Sequence, residues 1–306
     1  DGLDRGFFRT GEFRGRVVKE TELSYANEAH SWTKRVVIRG IETLSGRSYL
    51  LGYYRYWRDA VAATSTTKWS DLLALIGVDV VVEEGSWPPE NLPDGPLVMI
   101  ANHPYGLGDG LAILSLAERL GRPYRILINN ELLKAPEIRP YALPIDFEET
   151  ADALRTNMRT RQEALRLLAE GVTIIVFPGG GVATADRPFG RARELPWKTF
   201  TAKMIRAARA TVIPLFFDGQ NSPLFQLVSR FSLTLRLSMY IREFRRIMGC
   251  DLAVRVGAPI PYEELAAFGD QKAMTEHLLA RVVAMAPAVP RRRGRPDRRR
   301  LRRIAA

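Results

Sequence analysis

Cysteine is nearly absent from the 306-residue chain: Cys250 is the single example. No disulfide can form within the chain, which suits a reducing compartment. A zinc site built on cysteines is excluded by number. Histidine is almost as scarce, with only His30, His103 and His277. A multi-histidine metal centre is therefore not expected, and no metal is assigned. Also lacking is any run of the ~18 consecutive apolar residues that a membrane-spanning helix needs. The longest apolar stretches, Val172 to Pro178 and Val212 to Phe217, are of strand length. The first residues carry no signal-peptide pattern. If lipid is involved, the expectation is a chain lying peripherally on the cytoplasmic face of a membrane, with no transmembrane helix.

What is present points to a folded protein. The composition is 46% hydrophobic, enough for one large core with an appended helical piece, and 26% charged. The net charge of +11 is uneven, because residues 291–306 hold nine Arg and one Asp. Subtracting them from the 45 Lys+Arg and 34 Asp+Glu leaves 36 against 33, a nearly neutral body. The basic end suits an anionic membrane surface. A nucleic-acid role would rest on that end alone, without aromatic interleaving or a recognised motif.

Along the chain, residues 1–30 are polar and expected to be irregular. Residues 31–76 read as helical, with Trp32, Val36, Val37 and Ile41 followed by Tyr49, Leu50, Tyr53, Tyr54 and Trp57. That aromatic stripe, with Arg47, Arg55 and Arg58 beside it, fits either core packing or a membrane interface. Short apolar runs then alternate with helical stretches. Strands are expected at Val78 to Glu83, Leu97 to Ala101, Tyr124 to Ile128, Leu143 to Asp146, Val172 to Phe177, Thr211 to Phe217 and Leu252 to Val256. Helices are expected at Gly110 to Leu120, Ala151 to Glu170, Thr199 to Ala208, within Ser229 to Met248, and from Tyr262 to Pro287. This alternation predicts an α/β fold, a mixed and largely parallel sheet flanked by helices, with an N-terminal helical segment. Three regions follow: 1–77 irregular then amphipathic, 78–262 a core, and 263–306 a helix with the Arg-rich end.

The chemistry concentrates just past the buried strand Leu97 to Ala101, where open α/β sheets place ligands. Asn102 and His103 come first, then Pro104, Gly106 and Gly108, then Asp109. Six residues of regular helix would set His103 and Asp109 on opposed faces, since each step turns about 100°. The proline and glycines favour a turn instead, and Asp109 falls at a helix N-cap or first turn. A neutral histidine can take a proton from a hydroxyl. A carboxylate on its other nitrogen fixes the tautomer and stabilises the imidazolium. With a thioester as the second reactant, the hydroxyl attacks directly and no serine or cysteine nucleophile is required. The same residues also read as a structural histidine and a helix-capping aspartate.

The block Asn102 to Gly110, NHPYGLGDG, resembles the glycerolipid or lysophospholipid (PlsC-like) acyltransferase family, whose main pattern is N-H-x4-D after an apolar strand. It looks like the branch written N-H-P-x-G-x-x-D-G, the bacterial hemolysin-like or ornithine-lipid acyltransferases, with one extra residue. The resemblance implies His103 as base and Asp109 as its partner, with Asn102 and Gly106 contacting substrate. Val176, Phe177, Pro178, Gly179, Gly180 and Gly181 look like the family's F-P-E-G block for the acceptor's phosphate, with Gly179 where Glu is usual. A glycine run after a strand also lets backbone N–H groups converge on an anion. Arg187 and Arg191, with Arg193 and Lys198, could add charge for the head group. Thr211 to Pro214 resembles the late V-I-P block, which lines the site, and Gln220 and Asn221 continue it and could bind substrate, although turn formation is the default reading. No clear counterpart of the family's remaining Arg block exists; Leu143 to Asp146 occupies its place, with Arg155 and Asn157 as loose candidates.

The implied activity is transfer of a fatty acyl chain from acyl-CoA or acyl-carrier protein to the hydroxyl of a lysophospholipid such as a monoacylglycerol phosphate. No resident cofactor is implied. Two other readings remain: a lyso-ornithine-type aminolipid as acceptor, because the Glu and Arg of the phosphate blocks are missing, and a non-catalytic lipid-binding protein of the same fold.

Overall fold

The computed structural model describes residues 24, 31–147, 150–187, 189–230 and 233–288. The expectations for residues 1–23, 25–30 and the Arg-rich end lie outside them. The chain enters through helices α1 (Trp32–Leu44), α2 (Arg47–Tyr56) and α3 (Lys68–Leu75), with a π-helical stretch, Trp57–Ala62, between the last two. Strand β1 (Asp79–Glu84) and strand β2 (Leu97–Ala101) lead to α4 (Leu107–Glu118). Strand β3 (Tyr124–Asn129), two short 3-10 turns and strand β4 (Ala142–Ile145) follow. Then come α5 (Ala151–Ala169), β5 (Thr173–Val176), α6 (Phe200–Ala208) and β6 (Thr211–Phe217). Helices α7 (Pro223–Ser229) and α8 (Leu233–Ile247), strand β7 (Asp251–Val256) and helices α9 (Tyr262–Ala266) and α10 (Gln271–Ala284) complete the described chain.

The seven strands form one sheet in the order β1-β7-β6-β2-β5-β3-β4. All neighbours are parallel except β6 with β7. The mixed, largely parallel sheet is thus the one expected. Strand β2 lies at its centre, between β6 and β5, and all five of its residues are completely buried. Successive side chains of a strand point to opposite faces, and β2 divides accordingly. Leu97, Met99 and Ala101 join a cluster with Trp57, Trp69, Ile113, Leu116 and Phe217. Val98 and Ile100 join the opposite cluster with Leu168, Ile205, Val212 and Leu278. A strand that fills two cores cannot alternate polar and apolar, which is why LVMIA is apolar throughout.

Two of the helical expectations need adjustment, at the start of α4 and after Tyr262. Helix α4 begins at Leu107, three residues before Gly110, because Gly106 takes a positive φ of 82° and turns the chain directly into the helix. The Ser229 to Met248 region contributes one helix, α8, while α7 ends at Ser229. The stretch from Tyr262 breaks into α9 and α10, where Asp270 caps a fresh N-terminus by accepting from the N–H groups of Lys272 and Ala273.

The aromatic stripe divides between the two fates open to it. Leu50 and Trp57 are buried in the first cluster, with Tyr53 and Tyr54 packed against it. Trp32, Val36, Val37, Leu44 and Tyr56 stay exposed, Leu44 at 89% and Trp32 at 69%. Among the described residues, no helix is long and apolar enough to cross a membrane.

Candidate active site

The end of β2 is held before the site begins. Asn102 donates through Nδ2 to the Phe217 carbonyl at 2.8 Å and accepts at Oδ1 from the Phe217 N–H at 2.7 Å. This side chain extends the β2–β6 ladder past the last backbone pair, Ala101 with Leu215. Both of its polar groups are thereby engaged with backbone. His103 comes next, its N–H donating to Glu194 Oε1 at 2.8 Å and its carbonyl accepting from the Ala183 N–H at 2.8 Å.

The turn then folds back. Tyr105 donates its hydroxyl to the Asp218 carbonyl at 2.9 Å. Gly106 opens α4, and Asp109 sits in the helix's first turn, where a carboxylate complements the positive end of the dipole. Asp109 Oδ2 accepts from the Tyr105 N–H at 2.8 Å, reaching back in the manner of a capping box. Its other oxygen, Oδ1, lies 3.0 Å from His103 Nδ1. The turn therefore does bring the two side chains together. The ring N–H is not aligned on that oxygen, so the contact is a close pairing of charges and dipoles without an ideal hydrogen bond. Such bonds commonly tighten when substrate binds.

Asp109 is completely enclosed, whereas 18% of the His103 side chain is exposed. Nδ1 is sealed against Asp109, leaving Nε2 as the ring nitrogen on the open side. Phe177 stacks on the imidazole, with ring centroids 4.1 Å apart. Burial alone would lower the imidazole's pKa. The charge and contact of Asp109, with a further contribution from Glu194, outweigh burial and the opposing Arg236, so it rises above the ordinary histidine value.

Around the pair lie residues that the sequence did not point to. Glu194 accepts at Oε2 from Trp197 Nε1 at 3.3 Å, besides its bond to His103. Burial raises its pKa, against the pull of the His103 and Trp197 donors. Arg236 on α8 donates to the Val182 carbonyl at 2.8 Å and leaves its buried Nε without a partner. Tyr240, also on α8, approaches Gly106 so closely that a Cβ there would stand 3.1 Å from its ring. Glu194 is the lone acid between Asp186 and Asp218. Its place directly before an apolar residue and three positions from a tryptophan was the available signal.

The remaining candidates separate into two groups. Gly179 and Gly181 lie beside the residues around the pair, since side chains there would face Glu194 and Leu195 with Arg236, whereas one on Gly180 would face Phe147 and Lys198. Pro178 accepts from the Lys198 N–H at 3.1 Å, closing that turn. Gln220 accepts from the Ala192 N–H at 2.8 Å and donates to the Gly190 carbonyl at 3.1 Å, bracing the loop that carries Arg191. Asn221 is buried with neither polar atom partnered. Arg187 and Arg191 are exposed on that loop. Pro214, inside β6, packs against Gly257 rather than beside His103. Arg155 pairs with Asp152 at the surface, and Asn157 bonds both backbone groups of Asp146. Among the described residues, no three His, Cys, Asp or Glu are grouped so as to hold a metal ion.

Residues 82–285 match the pattern of the family described as Acyltransferase, across two thirds of the chain. The chain belongs to this acyltransferase family. The matched span begins within β1 and ends just past α10, so it takes in the end of β1, the other six strands and the His103–Asp109 turn. Two curated relatives, the lyso-glycine lipid O-acyltransferases of Phocaeicola vulgatus and Bacteroides thetaiotaomicron, are each 30% identical over 190 residues, 57% of this chain. The aligned part spans 63% and 64% of those relatives' lengths. Among solved structures, the 1-acyl-sn-glycerophosphate acyltransferase of Thermotoga maritima superposes with a TM-score of 0.45 at 16% identity, covering 79% of this chain and 90% of that one.

Proposed function

We propose that the protein transfers a fatty acyl group from a thioester to the hydroxyl of a lysolipid, with His103 as general base. The observation that carries this reading is the sealed contact between Asp109 Oδ1 and His103 Nδ1, with Nε2 left toward the opening. Nε2 takes the proton from the acceptor hydroxyl as its oxygen attacks the thioester carbonyl. Asp109 holds the proton on Nδ1 and offsets the charge of the imidazolium. The tetrahedral intermediate collapses, the C–S bond breaks, and the imidazolium returns the proton to the thiolate. The products are an ester and a free thiol on CoA or carrier protein. No resident cofactor enters this scheme.

The acceptor in this reading carries an amino-acid head group, as the names of the two relatives suggest for them. Arg236, whose Nη2 would stand 3.8 Å from a Cβ on Gly181 in the glycine turn, supplies a cation for the head group's carboxylate. A second reading keeps a lysophospholipid such as monoacylglycerol phosphate. The turn Gly179–Gly181 after β5 favours it, because backbone N–H groups at such turns suit a phosphate. The exposed apolar residues of α1 and α2, among them Trp32 and Leu44, support docking on an anionic membrane surface. A purely lipid-binding role fits the buried pair less well, since an enclosed carboxylate beside an imidazole costs stability without chemical return.

Product mass spectrometry decides these readings. Purified protein is given lyso-glycine lipid or lysophosphatidate, each with palmitoyl-CoA or palmitoyl-carrier protein. The glycine-lipid product should dominate, and His103→Ala should abolish it while the circular dichroism spectrum stays unchanged. Wild-type turnover in folded His103→Ala would sink the base mechanism, and a lysophosphatidate preference would select the second reading.

A further inference from the structure

Glu194 meets His103 at the backbone and nowhere along its own local chain. Its Oε1 accepts the His103 N–H at 2.8 Å, and its Oε2 accepts from Trp197 Nε1 at 3.3 Å. Both oxygens accept N–H groups, the pattern of an ionised carboxylate. A Cβ built on Gly179 would stand 3.3 Å from Glu194 Oε2 and 3.3 Å from the Leu195 carbonyl. That separation is close to the distance between a glutamate's own Cβ and its carboxylate oxygens, given standard bond lengths. The carboxylate of Glu194 thus occupies a place that a glutamate growing from position 179 could reach.

We propose that Glu194 is a positioning residue for His103, delivering from the 182–198 excursion a carboxylate at the spot that a side chain on residue 179 would otherwise fill. It fixes the strand-end backbone from which the imidazole projects, and it adds a second negative charge acting on the ring. Gly179 stays bare because the space is taken. The charged groups facing the ring are then Asp109 from α4, Glu194 from the excursion and Arg236 from α8. Two negative groups oppose one positive, which favours the imidazolium that forms as the hydroxyl proton is taken.

The kinetic part of this proposal rests on His103 acting as base, and the titration part does not. Glu194→Gln is nearly isosteric and keeps an acceptor for the His103 N–H while removing the charge. The chain's three histidines are few enough for their ring protons to be followed singly by NMR on the intact protein. Glu194→Gln should shift the His103 midpoint to lower pH and leave that of His277, which lies 3.7 Å from Glu264, in place. Glu194→Ala should lower kcat by about 10- to 100-fold with KM little changed, as expected for a displaced base. Adding Gly179→Glu to Glu194→Ala should recover about tenfold of that loss, with palmitoyl-CoA and lyso-glycine lipid as probes. An unmoved His103 midpoint in folded Glu194→Gln overturns the charge role. A double variant no better than Glu194→Ala overturns the shared position. If Glu194→Ala does not fold, the Gln titration alone decides. Full activity in His103→Ala would defeat the base mechanism while leaving the titration result standing, so the two failures are separable.

Discussion

Replacing Asp109 by Asn tests the proposed mechanism at its narrowest point. The asparagine carbonyl can still accept the Tyr105 N–H that Oδ2 now accepts at 2.8 Å, so the start of α4 should survive. The amide NH2 then faces His103 Nδ1, 3.0 Å from the present Oδ1. A donor at that position favours the tautomer with its proton on Nε2, the nitrogen that must accept the hydroxyl proton. The general-base contribution, roughly 10²- to 10⁴-fold, is then lost, which is about 3–5 kcal/mol of barrier. Stability should change less, by about 2 kcal/mol at most, because the lost charge pairing is offset by the relieved burial of a carboxylate. Thiol release from palmitoyl-CoA reads the rate directly, and the protein's own Cys250 is buried, which keeps the background low. The expected result is a kcat loss with KM within about threefold, since Asp109 is fully enclosed and meets no substrate. A folded variant with near-wild-type kcat, or a loss confined to KM, would refute the reasoning.

Further expectations concern pH, packing and the membrane. The base works as neutral imidazole and its pKa is raised, so kcat/KM should climb through a midpoint above histidine's usual ~6.5; an acid limb centred at or below that value contradicts the assignment. By linkage the same group stabilises the fold fully below the unfolded midpoint, and this contribution fades as pH rises through the folded one, so melts across that window should show stability declining as activity grows. Gly219→Ala would set a methyl 1.7 Å from the Tyr105 hydroxyl at a φ of +120°, and should cost about 2–4 kcal/mol in urea unfolding; a loss under about 1 kcal/mol would show that the Tyr105–Asp218 contact yields freely. Replacing Trp32 and Leu44 by Ser should weaken flotation with anionic vesicles by about tenfold or more, and removing residues 291–306 should weaken it in a salt-sensitive way; unchanged flotation in both cases argues against surface docking.

Much of the sheet was legible because its strands are buried on both faces. LVMIA is apolar throughout, TIIV and TVIPLFF are apolar after their first threonine, and nothing in a flexible loop mimics that. The His103–Asp109 contact was legible as a requirement: the spacing demanded a turn and the glycines permitted one. Less visible was everything that meets the pair from afar. Glu194 comes 91 residues after His103 and Arg236 still later, so no local pattern announces either. The four basic residues around Glu194 drew the eye instead, yet Arg187, Arg191 and Arg193 are exposed. Asn102 and Gln220 showed the reverse difficulty. The family resemblance suggested substrate contacts for both, but the backbone of neighbouring segments takes up their side chains. A residue type states which bonds it can make; the path of distant chain decides who shares them.

The Asn102 crossbar has a consequence for substrate choice. Open α/β sheets bind ligands in the cleft outside the carboxyl ends of their strands. By tying itself to both backbone groups of Phe217, Asn102 sets the width of that cleft at its floor, whatever lies above. The floor cannot widen for a larger guest without breaking two bonds of 2.7 and 2.8 Å. Under the proposed function, selectivity among acceptors would then be written in the walls, the 182–198 excursion and helix α8. Those parts can be exchanged or redrawn while the floor, and the imidazole standing on it, stay as they are.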